Sequence, residues 1–123
     1  MNLVRTPNIP HGIKKVASVE MLLLFSAVLE RAVGICRVRQ IPFYFVYLPQ
    51  FERYTTTPHR AGAFQIRDKV IETVSQHDIP IIDFEATVTR SWSPISLYGR
   101  IDGYHFTAEG YELVADMIAK TLR

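Results

Sequence analysis

The 123-residue sequence is short of several things, and each shortage excludes a class of protein. A single cysteine, Cys36, excludes a disulfide framework and a cysteine-based zinc site. Fourteen Lys and Arg against twelve Asp and Glu leave a formal charge of +2, which gives no electrostatic case for nucleic acid or an anionic membrane. No apolar run approaches the ~20 residues needed to span a bilayer. The most hydrophobic stretch, Met21 to Leu29, follows Lys14 and Lys15, but Glu20 abuts it, Glu30 and Arg31 end it, and no small-x-small cleavage site follows. A signal peptide is therefore not expected, and the cytoplasm is the default location. What is present is ordinary: 48% hydrophobic and 21% charged residues describe a globular chain. Its length fits one domain but is short for a complete doubly wound α/β enzyme.

Residues 1–15 hold Pro7, Pro10 and Gly12 without periodicity and read as an irregular lead-in to a domain over 16–123. A helix is expected from about Val19 to Arg39, with Leu22, Ser26, Leu29, Val33 and Cys36 on one face. Cys36 is then a small core residue. Phe43–Leu48, six apolar or aromatic residues in a row between Pro42 and Pro49, predicts a strand covered on both faces. After a polar loop from Gln50 to Arg60 the pattern recurs. A helix over about Ala61–His77 carries Ile66, Val70, Ile71 and Val74 on one side, and a short strand Ile81–Phe84 follows. Each strand is introduced by Ile-Pro, 38 residues apart, and proline suits the start of a strand because it lacks an N–H. Strand, helix, strand implies two parallel strands joined by a crossover. About 22 residues then read as an ordered loop before a last helix, N-capped by Thr107, with Leu113, Val114, Met117, Ile118 and Leu122 as its apolar face.

In a parallel sheet, ligands bind beyond the carboxyl ends of the strands. Two loops occupy that edge, Pro49–Arg60 and Glu85–Phe106. The second holds Asp102-Gly103-Tyr104-His105 directly before the last helix. A carboxylate three residues before a histidine can hold one ring nitrogen and stabilise the imidazolium, leaving the other nitrogen as a general base. The helix N-terminus opposes protonation of His105 and Asp102 favours it, which keeps the pair tunable near neutral pH.

The run Asp-Gly-Tyr-His-Phe-Thr-Ala-Glu-Gly-Tyr, entering an amphipathic terminal helix after an α/β unit, resembles the last block of the SGNH (GDSL) hydrolases. In that family an Asp-x-x-His motif supplies two members of the catalytic triad, followed by a small polar residue and a glycine. Asp102, His105, Thr107 and Gly110 stand in those places. The resemblance runs from about Val19 to Arg123, the family's C-terminal half. It implies a partial doubly wound, flavodoxin-like α/β fold with two parallel strands and about three helices. It also implies hydrolysis of a small-molecule ester without a cofactor, with Asp102 and His105 as the catalytic pair.

The departures carry as much information. No Gly-Asp-Ser nucleophile block occurs, and the Gly-x-Asn-Asp block of the oxyanion hole is missing too, the only asparagines being Asn2 and Asn8. Of the serines at 18, 26, 75, 91, 93 and 96, none is expected at a tight strand-to-helix turn. The chain thus reads as the base and its orienter without an attacking group, or as a non-catalytic α/β half-fold serving as a remnant or interaction module. A metal on Asp102 and His105 needs a third ligand, with His59 the candidate, and the expected reading is no metal. His59 and His77 are expected at the surface. Gln50, Glu52, Arg53 and Tyr54 are either substrate contacts or a solvated loop. The open edge of Phe43–Leu48 is expected to make the chain marginally stable and to pair it into a homodimer, unless residues 1–15 fold over it.

Overall fold

The computed structural model describes residues 11–55, 66–91, 93–99 and 105–123, with the side chains of 11–18, 52 and 89–91 left aside. The first helix, α1, spans His11–Val38, 28 residues and so about 42 Å. It begins eight residues before Val19 and takes in part of the expected lead-in, since no proline follows Pro10 to interrupt it. Its buried side is the expected one: Leu29 is buried, and Leu22, Phe25, Ser26, Val33 and Cys36 are half-buried.

Helix α1 stops in a turn built around Gln40, whose φ of 56° is left-handed. Gln40 N–H donates to the Arg37 carbonyl at 3.1 Å and Ile41 N–H to the Cys36 carbonyl at 2.9 Å, the paired bonds of a Schellman ending. Pro42 then prevents any return to helix, and strand β1 follows at Phe45–Tyr47. The second helix of the repeat, α3 (Ile66–Ser75), also gives way to a left-handed residue, Asp78, φ 55°, whose N–H donates to the Ser75 carbonyl at 3.1 Å, before Ile79-Pro80 and strand β2, Ile81–Asp83. The strands are shorter than the apolar runs that announce them. They pair in parallel, Phe45 with Ile81, Val46 with Ile82 and Tyr47 with Asp83. The fold is α/β with two parallel strands, as the repeated pattern implies.

Two helices appear where the sequence read as loop. Helix α2 is one turn, Glu52–Thr55. Helix α4, Phe84–Ser91, starts directly at the end of β2 and takes Phe84 out of the expected strand. Asp83 caps it, its Oδ1 accepting the Ala86 N–H at 3.3 Å. Phe84 and Val88, one turn apart, are both buried and drive the helix into the core. A 3-10 turn at Pro94–Leu97 follows, then α5, Ala108–Thr121.

The core has two parts. Leu29, Val74 and Ile79 form one with Phe25, Val33, Phe43, Phe45, Val70 and Ile81, where α1 and α3 meet the sheet. Phe84, Val88, Leu97 and Tyr98 form the other with Phe51, Tyr54, Phe106, Leu113, Val114 and Met117. Helix α5 lies against β2, and its last expected apolar residue, Leu122, is 57% exposed. Among the described residues β1 pairs on one side only, and no described helix is long and apolar enough to cross a membrane.

Candidate active site

The carboxyl end of β1 is tied to the loop before α5 by one buried hydroxyl. Tyr98 O–H donates to the Pro49 carbonyl at 2.6 Å. Tyr98 in turn bridges Phe106 in antiparallel fashion, and Gly99 N–H donates to the His105 carbonyl at 2.8 Å. His105 therefore stands at the strand end, its backbone fixed and its side chain exposed. Asp102, the other member of the expected pair, lies outside the described residues, as does His59.

The Thr107 and Gly110 that follow His105 have plain structural duties. Thr107 N–H donates to the Leu97 carbonyl at 2.8 Å, and its hydroxyl reaches the same oxygen at 3.3 Å. Thr107 Oγ1 also accepts the Gly110 N–H at 3.2 Å, capping α5 as the sequence predicts. A Cβ on Gly110 would stand 2.7 Å from the Leu97 carbonyl oxygen and 2.9 Å from Phe106 Cβ. Only glycine lets α5 approach the 3-10 turn this closely, so the spacing His-x-Thr-x-x-Gly is what clamps the His105 backbone in place.

Beside it runs a crevice of about 360 Å³ lined by Leu48, Pro49, Gln50, Phe51, Tyr98, Phe106 and Tyr111. Its rings pack on one another: Tyr98 and Phe106 centroids are 4.7 Å apart, Phe51 and Tyr98 5.4 Å, Phe106 and Tyr111 5.6 Å. Of the loop residues flagged after β1, Gln50 borders this crevice. Tyr54 packs into the core, and the Glu52 side chain lies outside the description.

Arg53 belongs to a polar cluster that no sequence spacing announces. Its Nε meets Glu85 Oε1 at 2.5 Å. Arg67, at the start of α3, approaches Glu85 Oε2 to 2.6 Å without hydrogen-bond alignment, pairs with Asp83, reaches Asp68 Oδ1 at 3.0 Å, and sits 5.4 Å over the Tyr47 ring. Five elements, the last residues of both strands and helices α2, α3 and α4, supply these groups, so linear spacing is silent about them. The one available signal is Asp83 itself, a carboxylate closing the apolar strand Ile81-Ile82. Burial would lower the Arg67 pKa, but Asp83 and Glu85 together raise it. Burial first and Glu85 second push the Tyr54 hydroxyl up to about 12, against the opposing pull of Arg53. Tyr47 is raised by burial too. Tyr54 Oη is buried and finds no hydrogen-bond partner among the described residues. The cluster is internally neutralised, so it holds α2, α3 and α4 to the strand ends more than it presents charge.

His77 departs from expectation. It is half-buried, and its Nε2 lies 2.8 Å from Ser26 Oγ, clipping α3 to α1. Of the other serines with described side chains, Ser75 Oγ donates to the Ile71 carbonyl and Ser96 Oγ to the Ser93 carbonyl. None of the described serine side chains, Ser26, Ser75, Ser93 and Ser96, stands where a strand turns sharply into a helix.

No family model matches the sequence, and no solved structure matches it significantly. The chain is similar to the diglucosylglycerate octanoyltransferase of Mycobacterium tuberculosis (strain ATCC 25618 / H37Rv), with 35% identity over 72 residues, 58% of this chain and 27% of that protein. The matched part spans about a quarter of the length of that relative. The similarity relates the chain, weakly, to an enzyme of acyl transfer.

Proposed function

We propose that the chain carries the general-base half of an SGNH-type acyl-transfer site acting on a small-molecule ester. His105 is the base and Asp102 its orienting carboxylate, and the serine and oxyanion donors come from another segment or chain. In the first step His105 takes the serine hydroxyl proton as the oxygen attacks the ester carbonyl. The imidazolium, stabilised by Asp102, then gives that proton to the departing alkoxide, leaving an acyl-enzyme. Water, or an alcohol acceptor deprotonated by the same histidine, completes hydrolysis or transfer. No cofactor enters these steps.

One observation carries the reading. The backbone of His105 is clamped, through Gly99, Thr107 and Gly110, at the carboxyl end of β1 beside an open aromatic crevice. The Asp-x-x-His motif and the similarity to an octanoyltransferase support it, and the latter suggests a medium-chain acyl group. The test is co-expression with a segment bearing Gly-Asp-Ser from the adjacent coding sequence. Turnover of p-nitrophenyl octanoate is expected, and His105→Ala should lower it by about 10⁶-fold. No turnover by the reconstituted pair would overturn the proposal.

A second reading, a non-catalytic interaction module, is favoured by the placement of the described serines away from any nucleophile turn. It expects no reaction of the isolated chain with a fluorophosphonate. Labelling mapped to a loop serine would refute it.

A further inference from the structure

Helix α1 carries two apolar faces, and only one is used. Opposite the buried face runs a second stripe at alternating spacings of three and four: Met21, Leu24, Val28, Arg31, Ile35 and Val38. All six are exposed, Met21 and Leu24 at 66% and Val38 at 86%. A 3-4 repeat sustained over this length is the seam of a helix pair. On this stripe lies an open hollow of about 480 Å³ lined by Arg31, Gly34, Ile35, Val38 and Arg39. Positions 31, 34, 35 and 38 are the four corners of the hole that accepts a knob from a facing helix. Gly34 leaves its floor empty, since a Cβ there would meet nothing within 4 Å.

We propose that this face binds a second copy of the chain, α1 against α1 in antiparallel fashion about a two-fold axis. The register follows from the sequence. With Met21 facing Val38, Leu24 faces Ile35 and Val28 faces Arg31, and the same pairs recur across the axis, as an isologous interface requires. Leu24 of each copy then seats in the Gly34 hollow of the other. Glu20 comes level with Arg37 and Arg39 of the second copy, and the antiparallel helix dipoles add to the attraction. Arg31, the one charge in the seam, penalises other registers at some cost in strength. The five apolar side chains bury about 1,000 Å² over both copies, at the lower bound for a specific interface, so the dimer is reversible and concentration-dependent.

Sedimentation equilibrium of the full chain, with and without substitutions, tests this. The wild type is expected to show a monomer–dimer equilibrium, and Leu24→Glu to weaken it by about 30-fold or more. Because Leu24→Glu could disturb folding, Gly34→Leu serves as the second variant. It fills the hollow while replacing a helix glycine by a better helix former, so thermal stability should hold or rise while dimerisation falls. In a Cys36→Ser background, Leu24→Cys with Ile35→Cys should cross-link on oxidation, whereas Leu24→Cys alone should not. A monomer at the highest concentration reached would overturn the proposal. So would a dimer unaffected by Gly34→Leu, which would point to the open β1 edge, or cross-linking by Leu24→Cys alone, which would mean parallel helices.

Discussion

The two helix–Ile-Pro–strand units share their boundary signals and differ in helix length and in surroundings. Each helix ends at a left-handed residue, Gln40 or Asp78, and each strand starts after Ile-Pro. Yet Ile79 is 5% exposed and its counterpart Ile41 52%. In β2 Ile82 is buried, whereas β1 is half-buried throughout. Helix α3 buries Val74 completely, while α1 leaves a whole apolar face in solvent. Local chemistry therefore decides where elements begin and end, and neighbours decide how much each one contributes. Strand β2 of the second unit lies against β1, α3 and α5. Among the described residues, β1 of the first pairs with β2 alone and meets α4, and no second strand covers its other edge.

The sharpest way to break the comparison is to truncate both isoleucines. Ile79→Ala should cost about 3 kcal/mol in denaturant unfolding, and Ile41→Ala within about 0.5 kcal/mol of nothing. Equal costs would mean that the first unit is packed in solution in a way the fold does not account for.

Next in size is the strand end unique to the second unit. Glu85→Ala leaves two guanidiniums without their shared partner and should cost about 2 kcal/mol, discounted because all partners keep some solvent contact. The same substitution should bring the Tyr54 titration down from about 12, because Glu85 is its second cause after burial. The wild type binds the Tyr54 proton more tightly folded than unfolded. That contribution to stability is therefore complete below about pH 10 and lost as the pH rises through about 12, a decline that Tyr54→Phe should flatten in pH-dependent unfolding.

The smallest effect tests what the two units share. Gln40→Gly relieves a left-handed glutamine and should stabilise by about 0.5–1 kcal/mol. Asp78→Gly should gain less, since aspartate tolerates that conformation better. Melting curves of the two variants should move in the same direction despite the difference in burial.

Much of this was legible in the residues. The repeated Ile-Pro, the buried face of α1, the parallel pairing and the Thr107 cap each rest on local periodicity or a single hydrogen bond, which sequence encodes directly. Helix α4 was not, because Phe84 completes an apolar run that reads as strand, and only Asp83, as a cap, gives the helix away. The Arg53–Glu85–Arg67–Asp83 cluster and the Ser26–His77 contact join residues 16 to 51 positions apart from separate elements. No spacing rule reaches them. For the candidate site, the sequence named His105, Thr107 and Gly110. Why the last two belong with the first emerged only at the Leu97 carbonyl, where the Thr107 amide and hydroxyl and the bare Gly110 Cα converge.

The paired backbone of Gly99 and His105 has a consequence for how such a protein can change. It closes the chain on itself at residues 99 and 105, braced by the Tyr98–Phe106 bridge. Residues inserted between Gly99 and Asp102 leave the two-residue link from Asp102 to His105 untouched, and each doubling of loop length costs only about 0.6 kcal/mol. Added length between these paired positions therefore leaves the clamped backbone of His105 where it is, which makes Gly99 a point at which the chain can grow without disturbing the start of α5.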